Sequence, residues 1–208
     1  MLRALACVLL FTFAACRGIE TDVAAVLSPD LAGRRYQRIC VSAPDGDLRM
    51  RTVVEIAMSE ALSGHGVATS RLGELLFPGK EHSEDQIAET VRKTGADGFL
   101  VLKPISSWTD EQWVPPSITT SGYGGRGRPW GWGYSTSWVA GGYTISRPRA
   151  TIDVRLFDVT KEDVTWVASV GVAGSGDVDW AALRAEAARA AIARLASDGL
   201  LATDAPAR

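Results

Sequence analysis

Residues 150–172 read ATIDVRLFDVTKEDVTWVASVGV, and two strands joined by a turn are written into them. Ile152, Val154 and Leu156 alternate with Thr151, Asp153 and Arg155. Trp166, Ala168, Val170 and Val172 share one face of the second half. A period of two places each apolar set on one side of a pleated strand, so both strands are half-buried. Between them, Thr160-Lys161-Glu162-Asp163 is hairpin-turn chemistry. A sheet with one apolar face needs another layer to cover it.

Working outward, residues 179–196 supply such a layer. Trp180, Leu183, Ala187, Ala191 and Leu195 form a helical stripe, with Gly199 as its stop. Upstream, the apolar run Phe99 to Ile105 predicts a strand, its start buried on both faces. Ser83 and Gln86 make a capping box for a helix carrying Ile87, Ala88 and Val91 and ending at Gly95. An earlier helix is expected over 48–63, with Val54, Ala57, Met58 and Ala61 on one face and Asp47 as its cap. Short strands are expected at 38–43 and 67–70, and residues 72–80 read as a loop. The order is β-α-β-α-β, a long insert, then β-β-α. This is an α/β (α+β) fold with helices on a mixed sheet of four to five strands.

The N-terminus carries an address. Arg3 is the only charge in residues 1–16, and an apolar run from Ala4 to Phe13 leads into Ala14-Ala15-Cys16. The run is shorter than the roughly 20 residues that span a bilayer, so it reads as a cleaved export signal. Ala14, Ala15 and Cys16 resemble the lipobox of bacterial lipoproteins, with Phe13 where leucine is usual. The resemblance implies cleavage before Cys16 and acylation of that cysteine. With Arg at position 17 rather than Asp, it implies sorting to the outer membrane, periplasmic face. Several acyl chains give a durable anchor where one does not. The expected division is signal peptide 1–15, lipidated cysteine and tether 16–36, one domain 37–200 containing an insert 109–142, and a tail 201–208.

The formal charge is −2, and loss of Arg3 lowers it by one. Net charge therefore gives no reason to expect nucleic acid as a partner. Cys7 leaves with the signal and Cys16 is the lipidation candidate, so Cys40 stands alone and reads as a buried thiol.

The insert is unusual in composition. Five of the seven tryptophans lie between Trp108 and Trp138, and eight glycines between Gly122 and Gly142. No acidic residue occurs from Gln112 to Ile152, whereas Arg126, Arg128, Arg147 and Arg149 do. Tryptophan suits membrane interfaces and sugar faces, and arginine suits phosphate or carboxylate. Trp113, Arg126, Arg128, Trp130, Trp132 and Trp138 are therefore the candidate partner-contact surface. A lipid headgroup, cell-wall glycan or a protein could each be the partner. A self-packed loop covering the sheet fits equally well.

Other motifs fail on context. Gly122-Tyr123-Gly124-Gly125-Arg126-Gly127 spells GxGxxG, but Pro115-Pro116 precede it and Pro129 follows, so no strand and helix flank it and no nucleotide is expected. Gly79-Lys80 is followed by Glu81, not by the Ser or Thr of a phosphate loop. His65 and His82 are the only histidines and lack partners at metal-ligand spacing. No catalytic residue, metal or cofactor is expected, and the chain is not read as an enzyme.

The element order, with Asp158, Thr160 and Trp166 in the hairpin, resembles a group of envelope lipoproteins. Their fold is also that of the TolB N-terminal domain, the curli-secretion protein CsgG and the penicillin-binding-protein activator LpoB. The resemblance covers about residues 36–200. It implies a non-enzymatic structural, adaptor or assembly module, and no site residue is carried over from it. An oligomeric secretion or pore-associated component of the CsgG type is the alternative. An envelope hydrolase is a further one, unsupported by any nucleophile–base pair.

Overall fold

The computed structural model describes residues 18–31, 33–77, 79–122, 135–176 and 178–202, with backbone only for 31, 117–122 and 135–140. In chain order the elements are β1 (Ile19–Leu27), β2 (Arg38–Ser42), α1 (Leu48–Gly64), β3 (Ala68–Arg71) and α2 (Leu72–Leu75). Then come α3 (Glu84–Lys93), β4 (Gly98–Val114), β5 (Ser117–Gly122), β6 (Ser135–Ala140), β7 (Tyr143–Asp158), β8 (Asp163–Gly174) and α4 (Trp180–Ser197). Six strands form a mixed sheet in the order β1-β8-β7-β4-β2-β3, and β5 pairs with β6. β2 is parallel to β3 and β4, and the remaining pairings are antiparallel.

The helices begin where side chains satisfy free N–H groups. Asp47 Oδ1 accepts from Arg49 N at 2.8 Å, and Asp179 Oδ1 from Ala182 N at 2.8 Å. The Ser83–Gln86 capping box is complete, with bonds of 3.1 and 3.3 Å. α1 and α4 lie side by side across one face of the sheet. There Ile39, Leu100, Ile152, Val154, Leu156 and Trp166 meet Met58, Leu62, Leu183 and Ile192. Every residue in this set is at most 1% exposed. At roughly 1.5–3 kcal/mol for each large apolar side chain buried, this layer dominates the favourable energy. On the opposite face α3 covers only the β2–β4 side, where Cys40, Val91 and Ala96 pack with Leu72. Farther along that face Arg155, Val167, Ser169, Asp22, Ala24 and Val26 are exposed.

Several expectations change. The lead-in read as a tether over 16–36 contains β1, because Ile19, Val23, Ala25 and Leu27 extend the apolar row of β8. With β1 the main sheet has six strands rather than four or five. Residues 72–75 form a helical turn instead of a loop, anchored by buried Leu72. β4 does not stop at Ile105. It passes a register shift between Pro104 and Ser106 and pairs with β7 out to Val114↔Tyr143. Leu201 and Ala202, read as the start of a tail, are buried beside Tyr36, where Leu201 makes a parallel bridge.

The insert, read as irregular over 109–142, has strands in its described part. The pairs Ser106↔Thr151, Val114↔Tyr143, Ser117↔Ala140 and Gly122↔Ser135 all have the same sum of residue numbers. β4–β5 and β6–β7 thus keep one register across the Pro115-Pro116 and Gly141-Gly142 breaks. The described part of the insert is a two-stranded ribbon growing out of the sheet. A side chain at position 142 would place its Cβ 2.3 Å from the Trp113 ring, so the ring in this position packs against the bare glycine backbone.

Candidate functional site

A groove of about 930 Å³ lies between α3 and the open face of β4 and β7. Its floor is built from directly opposed pairs. Phe99 faces Phe157, Val101 faces Arg155, and Lys103 faces Asp153. The two phenylalanine rings stand 6.1 Å apart with planes tilted by 34°. Ile87, Ala88 and Val91 of α3 form the apolar wall. A cavity of this size with a mainly apolar lining and a few polar groups has the character of a binding site.

The charges are mostly paired. Arg155 Nε lies 2.7 Å from Asp153 Oδ2, and Arg92 bridges Glu162 at the hairpin end. Glu162 takes a positive φ of 57°, which turns the chain tightly enough to bring its carboxylate to α3. Lys103, Glu84 and Asp85 also line the groove and make no ion pair among the described residues. Among the described residues they are the groove's one free cation and two free anions.

Beneath the hairpin end lies a buried polar network. Asp158 is fully buried and meets Arg34 Nε at 2.9 Å. Its Oδ1 accepts from Thr160 N and Lys161 N, both at 2.9 Å, and its Oδ2 from the Tyr36 hydroxyl at 3.2 Å. Tyr36 Oη and Thr165 Oγ1 are 2.7 Å apart. Burial raises the Asp158 pKa, but the Lys161 and Thr160 amides, Arg34 and the Tyr36 hydroxyl together hold it below the ordinary carboxylate value. Burial pushes the Tyr36 phenol up to about 12. Each group in this network has a structural partner. The Cys40 thiol is likewise buried and its pKa raised by desolvation, which keeps it protonated and unreactive. Among the described residues no group of three or more His, Cys, Asp or Glu side chains could hold a metal ion.

Trp113, the one sequence candidate whose side chain the structure describes, does not line this groove. Trp113 lies near the outer end of β4, 61% exposed and opposite Thr144. Trp138 lies on β6 opposite Thr119. Arg126, Arg128, Trp130, Trp132 and the lipidation candidate Cys16 lie outside the described residues. Arg147, on the base of the ribbon, stands opposite Asp110, and Arg149 pairs with Asp110 at 2.7 Å. The sequence reading missed the groove because Asp153 and Arg155 fit a solvated strand face. The available signal was the opposite row, where Phe99, Val101 and Phe157 make the same face apolar at its other end.

No family model and no curated protein matches this chain. Some solved structures are similar to it at low identity. A PelC dodecamer from Paraburkholderia phytofirmans is 17% identical, with 88% of this chain and 99% of that one covered and a TM-score of 0.48. Lipoprotein GNA1162 from Neisseria meningitidis is 13% identical over 77% of this chain and 98% of its own, with a TM-score of 0.41. A minor lipoprotein from Acinetobacter baumannii is 11% identical over 80% and 97%, with a TM-score of 0.39.

Proposed function

We propose that this chain is a lipid-anchored envelope protein, held through Cys16 on the periplasmic face of the outer membrane, and works as a non-enzymatic adaptor or assembly module. The observation that carries the binding role is the open groove beside α3. It offers an apolar floor and wall with most of its charges paired, which suits the docking of a partner more than bond-making chemistry. The anchoring part rests on residues 13–16 of the sequence. The partner is an envelope protein or cell-wall component, and the ribbon bearing Trp113 and Trp138 is a second surface for it. The same reading includes the grouping with the TolB N-terminal domain, CsgG and LpoB.

The test is crosslinking pulldown from membranes of cells carrying the unmodified chain, Val101→Arg, or a version lacking residues 117–140. Val101→Arg fills the groove with a charged side chain and is expected to lose the partner. Partners unchanged by both variants would rule out both surfaces. Separately, Cys16→Ser is expected to release the protein from membranes and abolish acyl labelling. If the variant stays membrane-bound and labelled, the anchor is elsewhere.

A second reading, a pore-associated component of the CsgG type, is favoured by one observation: the insert keeps a single two-stranded register out to Gly122↔Ser135. Against it, the ribbon base carries Asp110, Glu111 and Gln112, all exposed. Alternate residues of a barrel strand face lipid, so either Glu111 or Asp110 with Gln112 would stand there at a cost. A ring of many copies by mass measurement in detergent would favour this reading.

A further inference from the structure

Among the described residues β1 is an edge strand, guarded only by the charges of Glu20 and Asp22. Its nine residues pair with β8 on one side without a bulge, from Ile19↔Gly174 to Leu27↔Trp166. It contains no proline and no lysine. Natural sheets blunt a long edge with such devices, because unpaired N–H and C=O groups are a template for another strand.

The direction of those groups follows from the ladder. Ser28 N–H donates to Thr165 O at 2.8 Å, so the even-numbered residues exchange hydrogen bonds with β8. The odd-numbered residues, Thr21, Val23 and Ala25 among them, then turn their N–H and C=O groups outward. Side chains tell the same story. Ile19, Val23, Ala25 and Leu27 pack on the core yet remain only partly buried, and Val26 is 74% exposed on the other face. An added strand would finish burying the row along the core.

We infer that β1 pairs antiparallel with β1 of a second copy of this chain, making one continuous sheet across the two. The strand is self-complementary in the register that overlaps all nine residues. Ile19 then faces the second copy's Leu27, Thr21 its Ala25, and Val23 its Val23, so the core-side row matches apolar with small or apolar. Charge does not oppose the register directly, the two Asp22 side chains being diagonal neighbours. Glu20 and Asp22 meet Val26 and Ala24 across the pair, and no two acids stand directly opposed. A one-pair slip toward the N-terminus sets Asp22 against Asp22 and loses overlap, which selects against it. The contact is isologous and closes at two copies. It does not depend on the groove or on lipidation.

The experiment is light scattering on the full chain in detergent across a concentration series, with Ala25→Pro and Ala24→Pro. The unmodified chain is expected to reach a two-copy protein mass. Ala25→Pro removes an outward N–H and is expected to give one copy, with its melting temperature within about 3 °C of the parent. Ala24→Pro removes an N–H of the ladder to β8 and is expected to melt well below both. A one-copy mass at every concentration for the unmodified chain, or a larger assembly that survives dilution, overturns the inference. So does a two-copy mass for Ala25→Pro. Should Ala25→Pro fail to fold, Val23→Cys decides: opposed Val23 positions lie about 5.5 Å apart between Cα atoms, within disulfide reach. In a chain also carrying Cys7→Ser and Cys16→Ser, mild oxidation then gives a covalent dimer, while buried Cys40 cannot compete. Absence of that dimer overturns the inference as well.

Discussion

Asp158, Thr160 and Trp166 mark the hairpin in the sequence, and the structure gives Asp158 and Trp166 mechanical tasks. Asp158 ties the hairpin turn to the segment that precedes β2, through Arg34 and Tyr36. Trp166 is buried in the core, and its Nε1–H donates to Asp198 at the end of α4 at 2.8 Å. Tyr36→Phe would leave Thr165 without its 2.7 Å partner in a buried site. The expected cost is about 1–3 kcal/mol, or roughly 2–4 °C of melting temperature per kcal/mol, checked by thermal unfolding. The network also sets the response to pH. The folded Asp158 carboxyl titrates below its unfolded value, so its contribution is complete above roughly pH 4 and fades as pH falls through the lower folded value. Asp158→Asn should therefore be less stable at neutral pH and lose less on acidification than the parent. Parallel pH–stability curves for the two would contradict this. At the alkaline end the sign is opposite. Tyr36 is raised to about 12, so its contribution is present below pH 10 and is lost as pH climbs through that value.

At the scale of elements, the ribbon and the core are separable. Between Thr109 and Trp113 every residue of β4 is exposed, and β7 has lost its β8 neighbour beyond Arg149. An isolated two-stranded ribbon is marginally stable in water. Replacing residues 117–140 by a two-residue Asn-Gly turn between Pro116 and Gly141 should leave the melting temperature within about 2 °C. A fall of 8 °C or more would show that the ribbon braces the domain. The same physics explains what could be read from sequence. Helices α1, α3 and α4 announce themselves by caps and stripes: Asp47, the Ser83–Gln86 box and Asp179 are local signals. The pair β7–β8 is as legible because its apolar alternation is strict. β1 was not, since Ile19-Glu20-Thr21-Asp22 alternates weakly and its pairing with β8 is remote in sequence. The ribbon hid behind proline and glycine, whose turn signals at 115–116 and 141–142 interrupt the pattern without ending the register. The groove was illegible for a further reason. It exists only where α3 leaves the sheet uncovered, and helix placement over a sheet is a tertiary fact.

Across the whole molecule, stability should be graded from one face to the other. α1 and α4 bury the central strands on one side of the sheet, while α3 shields only part of the other. Backbone amides open with free energies ranging from near zero at exposed pairs to the global value in the core. The central strands lie between two hydrogen-bonded neighbours, and their inward side chains Leu100, Leu102, Val154 and Leu156 are fully or almost fully buried. Their amides should exchange only through global opening. The ribbon base, 109–114 with 143–147, belongs to the same strands β4 and β7 but has one neighbour on each side fewer and no covering layer. Hydrogen exchange followed by mass spectrometry should thus divide each of these strands in two. Peptides covering 98–104 and 150–158 should stay protected for hours, and those covering 107–114 and 143–147 should exchange within seconds to minutes. Protection of the ribbon base equal to that of the core in the isolated protein would mean that this part of the chain is covered by a contact absent from a single copy. Occupation of the groove would instead slow exchange along α3, around Ile87 and Ala88, and leave the ribbon fast, so a partner's footprint can be assigned to one surface or the other.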